Sequence, residues 1–562
     1  MKKVEKLSYF DDYSFVVSFC VNNVKGIGQL ILKSSSLPIL KIESSESNLE
    51  YYESLDINGD ILCEEIAGNN SFRLHNCDFL YGVIYPKFIT TGRVFYESNK
   101  VQIYLTGISQ WFEGMRIHDC KGDELIRDIS IRKVKSSFYF NNDSYQVENE
   151  RDVNVVSESS TDYKVNIDYS LVITKEKGCI LFEDVEGLTR EIKNLFSILL
   201  GVPVSVRYLY LISKESSAKY NSVYFLHHSY DENPLKHYHE AFCSFNYICE
   251  RNLFPVIVEN FFLKKSFNTI WSRLIQIFRG SNAWDLDILS SVVVLEMYCS
   301  LVSAGKHHKL NKQLFKELRD KLESVIEEII NRPELDAQDI ELISGIKTGI
   351  GGLKNTSFPT LKEKYNYLLE SVSDSIKEAI ALSESDFNLI KKIRNCVAHG
   401  LNYETLNPGD ITQELRVKER LVLFLMYLAY KDLGFDDEQF AFCISHSSSS
   451  LSHSSNYNER AIDKLAKTST FITLSEVYVN NYKIHKPIVI YHDLLSDSYK
   501  LDEKLSYETQ HNWPNKEYHD VRDFVRSLIT RVVKIEYLNK VYLKNGDDEK
   551  LYYGVLLIED EN

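Results

Sequence analysis

Short runs of alternating apolar and polar residues fill the first third of the chain, and Gly, Asn, Asp and Ser separate them. The runs are rich in β-branched and aromatic side chains, which is typical of antiparallel strands. Their spacing predicts a sandwich or a barrel. The predicted strands include YSFVVSFCV, GQLILK, YGVIYPKFI, VQIYLTGI, KVNIDYSLVI, VSVRYLYLIS and SVYFLHHSY.

The pattern changes to the period of a helix at about residue 235. One helical segment, DFNLIKKIRNCVAH, has both start and stop signals. Ser383 precedes it, and Asp386 three residues later completes a capping box. Gly400 stands where a helix ends in the left-handed conformation. The next helix is predicted from about Asp410 to Gly434.

The sequence therefore predicts an α+β multidomain protein. The glycine-rich stretch GIKTGIGGLKN is interpreted as a flexible connector, and SHSSSSLSHSS as a low-complexity linker. The predicted parts are a β-rich N-terminal domain with a helical extension (1–285), an all-α helical bundle (286–440), a Ser/His-rich linker (441–455) and a small α+β C-terminal domain (456–562).

Composition narrows the cellular setting and the class of partner. The ten cysteines form no CxxC pair, which favours reduced cytosolic thiols over disulfides or zinc ligands. The start lacks the apolar core of a signal peptide, and no apolar run has the roughly 18 residues of a membrane helix. We therefore expect a soluble cytoplasmic protein without a membrane partner. The net charge of −15 argues against a protein that coats nucleic acid.

The segment 387–399 separates into two faces on an ideal helix. The apolar stripe predicts contact with a core and consists of Leu389, Ile390, Ile393, Cys396 and Val397. The other side carries Lys391, Lys392, Arg394, Asn395, Ala398 and His399. Arg394 and His399 lie about 140° apart at the edges of this polar face. The face thus offers an imidazole, a fixed cation, an amide and two ammonium groups.

These groups can cleave RNA without a metal. The 2′-hydroxyl must lose a proton as it attacks phosphorus, and an imidazole accepts protons near neutral pH. A guanidinium can stabilise the charge that builds on the phosphorane oxygens. Residues 391–431 carry seven basic and four acidic side chains, a local charge of +3 that is compatible with an RNA substrate. No cluster of Asp and Glu resembles a two-metal site, so no metal or other cofactor is expected.

The spacing of Arg394 and His399 is weak evidence by itself, because a chain with 15 His should contain roughly one or two such pairs by chance. The alternative is an exposed arginine and a helix-capping histidine. The surroundings favour the first interpretation. RNCVAHG, followed by a helix ending in LAYKDLG, resembles the HEPN ribonucleases, whose motif is Arg, four to six residues, then His, often with Asn, Asp or His after the Arg.

The resemblance extends upstream of the motif. VVVLEMYCSL resembles the first helix of the HEPN family, and ISQWF and EIKNLFSILLGVPV resemble the N-terminal domain of ApeA-like anti-phage defence proteins. The similarity covers about residues 8–440, with the HEPN part at about 286–440. It implies that Arg394 and His399 are the catalytic pair and Asn395 an accessory polar residue. Lys391, Lys392 and Glu296 are candidates for RNA contacts, and a buried structural carboxylate is an equal alternative for Glu296.

The resemblance also implies a biological role. It implies an endoribonuclease of phage defence that cuts cellular RNA, with tRNA as one candidate, and so stops growth. A homodimer and a phage-derived trigger are the other implied partners. The helix LVLFLMYLAY (421–430) is apolar all round, so either a partner's equivalent helix or the same chain must cover it. Two rival functions stay open: a non-catalytic HEPN module that binds RNA, nucleotide or protein, and a binding protein that works through its N-terminal sandwich.

Overall fold

The computed structural model defines an α+β architecture, as expected from the sequence. It describes residues 6–21, 24–43, 59–113, 119–121, 124–126, 132–157, 163–215, 220–227, 232–280, 283–306, 309–353, 355, 359–401, 403, 409–478, 482–513, 520–530 and 533–560. The chain divides into two compact units. The first consists of residues 1–291 and 378–562, and the second of residues 292–377.

The N-terminal strands build a closed antiparallel barrel. Its order is β6-β3-β2-β1-β4-β5, and β5 returns to pair with β6. Alternation along β1 explains why it closes over a core, since Phe15, Val17, Phe19 and Val21 are buried and the residues between them are not. The barrel strands are β1 (Tyr13–Val21), β2 (Val24–Lys33), β3 (Ser36–Ile42), β4 (Ile61–Glu65), β5 (Ser71–Leu80) and β6 (Val83–Thr91). Of the two architectures predicted, this region is a barrel.

A second run of strands extends the sheet from β6 in the order β14-β13-β7-β12-β11-β10. These strands are β7 (Ser98–Leu105), β10 (Lys135–Phe140), β11 (Asp143–Ser157), β12 (Tyr163–Lys175), β13 (Val206–Ser213) and β14 (Tyr220–Tyr224). A separate hairpin joins β8 (Asp119–Lys121) to β9 (Glu124–Ile126). The long helix α2 (Phe182–Leu200) is buried along most of its length and contacts β7, which makes it the core helix of this region.

In the first unit, one short helix lies between β7 and β8, and further helices follow the last strand of this sheet. They are α1 (Ile108–Glu113), α3 (Phe245–Glu250), α4 (Phe254–Leu263), a π-helical turn (Phe267–Trp271) and α5 (Ser272–Phe278). The middle of the chain contains α6 (Trp284–Val302), α7 (Lys312–Ile330), α8 (Ala337–Gly351), α9 (Leu361–Glu370), α10 (Asp374–Ile380), α11 (Glu384–Ala398) and α12 (Thr412–Leu433). Within the residues that the structure describes, no helix is both long enough and apolar enough to cross a membrane.

Helix α12 is covered by its own chain. Residues 421–430 are all buried. The Tyr430 hydroxyl donates to the backbone oxygen of Leu199 at 2.9 Å, and the Trp271 indole donates to Asp432 at 2.9 Å. Of the two possibilities that the apolar sequence left open, intrachain burial is therefore the correct one.

The interpretation of GIKTGIGGLKN as a flexible connector is wrong over most of its length. Helix α8 extends through Gly351, and Asp336 caps its start by accepting from the backbone N–H of Asp339. Lys347 of α8 forms an ion pair with Glu327 of α7 at 2.7 Å. The pairing of these two helices keeps the glycine-rich stretch helical, despite the cost of about 1 kcal/mol that each glycine adds.

The linker predicted at 441–455 is also corrected. Helix α13 (Asp437–His446) enters it and α14 (Ser450–Ser454) lies within it. Leu451 is buried, and the Ser447 hydroxyl donates to the backbone oxygen of Ala241 at 3.0 Å. The serines act as helix caps and tertiary donors, so the segment is packed rather than extended.

The C-terminal segment folds into a mixed five-stranded sheet in the order β15-β18-β19-β16-β17. Its strands are β15 (Thr470–Thr473), β16 (Ile488–Asp493), β17 (Ser498–Leu501), β18 (Val533–Asn545) and β19 (Asp548–Asp560). The helices described in this part of the chain are α15 (Glu459–Ala466), α16 (Glu503–His511) and α17 (Val521–Leu528). Phe524 and Val525 of α17 pack on Val489 and Leu556 of one sheet face, which gives this small α+β part its own core.

Candidate active site

Helix α11 has the start and the end that its sequence predicts. The Ser383 hydroxyl accepts from the backbone N–H of Asp386 at 3.1 Å, and the Asp386 carboxylate accepts from the backbone N–H of Ser383 at 3.4 Å. At the other end Gly400 has φ +71°, and its N–H donates to the backbone oxygen of Val397 at 2.9 Å. The capping box and the glycine stop are both confirmed, so the helix presents its last turn at a fixed place.

The two faces of α11 differ in exposure as the helical pattern predicts. The buried residues are Phe387, Ile390 and Ile393, and the half-buried residues of the same stripe are Leu389, Cys396 and Val397. On the polar side Lys391, Lys392, Ala398 and His399 are exposed, whereas Arg394 and Asn395 are half-buried. The apolar face therefore anchors the helix, and the opposite face carries its polar groups toward the surface.

Asn395 connects the two residues of the predicted catalytic pair. Its side-chain oxygen accepts from Nη1 of Arg394 at 3.1 Å. Its backbone oxygen accepts from the backbone N–H of His399 at 3.1 Å. The amide thus orients the guanidinium while the helix backbone sets the position of the histidine.

His399 is the C-terminal cap residue of α11, with φ −92° and ψ 9°. Its side chain is exposed, and within the described ranges no hydrogen bond joins its imidazole to Arg394, to Asn395 or to any other group. The imidazole is therefore accessible from solvent. A proton acceptor needs this access to a substrate hydroxyl.

The two lysines of the polar face differ in their surroundings. Lys391 is exposed. The Lys392 ammonium lies 5.6 Å from the centroid of the Tyr403 ring, within the range of a cation–π contact. Tyr403 is buried beside Trp284, and its hydroxyl donates to Glu414 at 3.2 Å. Burial, and after it the Glu414 carboxylate, raises the pKa of Tyr403.

Sequence reasoning missed Tyr403 and Glu414 because no local pattern marks them. Tyr403 lies in the chain between α11 and α12, and only the fold places it near Lys392. Together they connect α11 to the first turns of α12. Glu296, the acidic candidate, lies on α6 in the second unit and is half-buried.

The polar groups on the last two turns of α11 form a candidate site for anions and for proton transfer. In the part of the chain that is described, no three His, Cys, Asp or Glu side chains are grouped so that they could hold a metal ion. The site offers two exposed ammonium groups, an oriented guanidinium and an accessible imidazole. Such a set suits a phosphodiester, since it can neutralise phosphate oxygens and move a proton.

Among the comparisons with known proteins, the scan of family models gave a match. Residues 289–439 match the model of the Apea-like HEPN family. The chain therefore contains an Apea-like HEPN domain, and α11 and α12 both belong to it. No curated protein matches the chain, and no solved structure matches it.

Proposed function

We propose that this protein is a metal-independent endoribonuclease in which Arg394 and His399 are the catalytic pair. The observation that carries the proposal is the last turn of α11. It places an oriented guanidinium and an exposed imidazole five residues apart within a HEPN domain. HEPN domains are typically nuclease-like, so the domain match supports the interpretation of Arg394 and His399 as a catalytic pair.

The proposed reaction is an internal transesterification. His399 accepts the proton of the ribose 2′-hydroxyl, whose oxygen then forms a bond to the adjacent phosphorus. The bond between phosphorus and the 5′-oxygen breaks, and that oxygen takes up a proton as it leaves. The products are a 2′,3′-cyclic phosphate and a 5′-hydroxyl. Arg394, held by Asn395, stabilises the additional negative charge on the phosphorane oxygens.

One copy of the motif supplies one imidazole and one guanidinium. In-line attack requires a base on one side of phosphorus and an acid, or charge stabilisation, on the other. A second copy related by a two-fold axis would supply the opposite side of a shared cleft. We therefore propose a homodimer with the two motifs facing one another, and Lys391 and Lys392 binding the RNA phosphates around the cut.

The proposed biological role is anti-phage defence. A phage-derived trigger would raise the basal rate at which the protein cleaves cellular RNA, with tRNA as a candidate substrate, until the infected cell stops growing. The alternative is a HEPN module that binds RNA, nucleotide or a protein through the same groups without cutting.

Incubation of the purified full-length chain with total cellular RNA separates these alternatives. The control is the double variant Arg394→Ala/His399→Ala. The proposal expects RNA fragments from the parent and none from the variant. Equal RNA patterns with both proteins, at concentrations where the parent binds RNA, would leave the non-catalytic module as the explanation.

A further inference from the structure

A cavity of about 570 Å³ opens where the first turn of α11 meets the first turns of α12. Arg416 and Arg420 line it from successive turns of α12, with Gln413 one turn earlier. Asp386 of α11 and Asn456 also line the cavity. From the sequence, these arginines contributed only to the positive charge counted over residues 391–431. The fold brings them together in one polar recess.

Arg420 is held by the protein itself. Its guanidinium forms an ion pair with Asp386 at 3.3 Å and donates to the backbone oxygen of Asn456. The same carboxylate closes the capping box of α11. Asp386 therefore neutralises Arg420, and the pair acts as a fixed wall of the cavity.

Arg416 is different, because it is exposed and forms no hydrogen bond or ion pair within the described ranges. The nearby carboxylate of Asp410 accepts from the Thr412 hydroxyl and from the Thr412 backbone N–H. These two hydrogen bonds, and then the charge of Arg416, lower the pKa of Asp410. The cavity thus contains one guanidinium that the protein leaves available to a ligand.

The position of the cavity suggests what that ligand is. Asp386 lies eight residues before Arg394, which is about 12 Å along the axis of α11 and about 80° around it. A strand of RNA bound at the last turn of α11 can therefore extend toward the cavity over a few nucleotides. A guanidinium recognises phosphate oxygens by two parallel hydrogen bonds, and the amide of Gln413 can both donate and accept.

We propose that this cavity is a second RNA-binding subsite, in which Arg416 contacts a backbone phosphate away from the cleaved bond. The inference rests on the proposed function for the identity of the strand. Contacts to phosphate set register and affinity without reading sequence. Arg416 would therefore position the RNA strand, while Arg394 and His399 act at the cut.

Binding of a fluorescent single-stranded RNA oligonucleotide tests the subsite. Every protein carries His399→Ala, so that cleavage does not interfere with the measurement. The test variant is Arg416→Gln. The matched control is Arg273→Gln, which removes the same charge from an exposed position on α5.

We expect Arg416→Gln to weaken RNA binding about 10-fold, the effect of losing a hydrogen bond to a charged group. The slope of log affinity against log salt should become shallower by about 0.7, the value for one single-strand phosphate contact. Arg273→Gln should change neither quantity. Unchanged RNA affinity and slope in Arg416→Gln would overturn the proposal. Weaker binding of a mononucleotide with unchanged RNA binding would overturn it as well, since the cavity would then hold a free nucleotide.

Cleavage by the parent chain is measured separately on the same oligonucleotide. If the parent does not cut but its RNA binding depends on Arg416, the proposed catalysis fails and the subsite stands. If the parent cuts and Arg416→Gln leaves RNA affinity unchanged, the catalysis stands and the subsite fails.

Discussion

Arg394, Asn395 and His399, at the end of α11, carry the proposed chemistry, and their environments are of two kinds. Arg394 is half-buried and hydrogen-bonded to Asn395. His399 is exposed. Because the helix is anchored by its opposite face, substitutions at the polar positions should alter chemistry rather than folding.

His399→Ala and Arg394→Ala should each lower RNA cleavage by roughly 100-fold or more, because each removes a proton acceptor or a charge-stabilising group. Initial cleavage rates measure this effect, and circular dichroism checks that the fold is kept. Asn388→Ala, at an exposed position of the same helix, is the matched control and should cleave like the parent. A His399→Ala protein that cuts at the parent's rate would show that the catalytic residue lies elsewhere.

At the scale of elements, sequence signals predicted α11 well, because its caps are local. Ser383, Asp386 and Gly400 act within a few residues of the chain, and the hydrogen bonds that they form are those expected. The stop of α12 at Gly434, which has φ +102°, is local in the same sense.

Long-range contacts explain the two elements that the sequence did not predict. Helix α8 contains glycines that weaken a helix, and its ion pair with α7 joins residues 20 apart. The serines of 445–455 resemble a linker in composition, yet Ser447 contacts Ala241 from a distant part of the chain. The amino-acid composition of these two segments reveals neither the ion pair of α8 nor the hydrogen bond of Ser447. The cavity at Arg416 could not be predicted either, because residues distant in the sequence line it.

The C-terminal sheet contains a pH-sensitive pair on adjacent strands. His492 of β16 hydrogen-bonds to Glu559 of β19 at 2.8 Å and to Asp497 at 3.1 Å. The Glu559 hydrogen bond is the main cause that raises the pKa of His492, and the same bond lowers the pKa of Glu559. Both groups are charged between the ordinary pKa values of Glu and His, 4.5 and 6.5.

The pair should therefore stabilise the sheet within that window. Its contribution is lost as pH rises through the raised pKa of His492, and as pH falls through the lowered pKa of Glu559. We expect the free energy of unfolding of the parent, relative to His492→Gln, to be larger at about pH 6 than at about pH 9. Urea unfolding of both proteins at the two pH values measures this. An equal difference at both values would rule out the charged pair.

At the scale of the whole molecule, intrachain burial of α12 removes one reason to expect a dimer through that helix. Another surface is available in the second unit. Helix α7 exposes an apolar stripe in which Leu314, Leu318 and Val325 are 53%, 46% and 51% exposed. Apolar side chains exposed along one helix face are typical of a surface that another protein surface covers.

We expect light scattering at micromolar concentration to give the mass of a homodimer. Leu318→Glu should shift the mass toward the monomer, because a charge within an apolar interface is costly. Lys316→Glu, on the polar side of the same helix, is the control and should remain dimeric. A parent that cuts RNA as a monomer, alone and with RNA bound, would contradict the shared cleft.

The chemistry of the RNA ends tests the central claim most directly. The purified chain is incubated with a defined RNA in excess EDTA, and the new ends are identified by mass spectrometry. If His399 and Arg394 drive attack by the 2′-hydroxyl, cleavage continues in EDTA and leaves 2′,3′-cyclic phosphate and 5′-hydroxyl ends. A matched RNA with 2′-deoxyribose at the cut position stays intact. Strict dependence on Mg²⁺, 5′-phosphate ends or cleavage of the 2′-deoxy substrate would contradict the account.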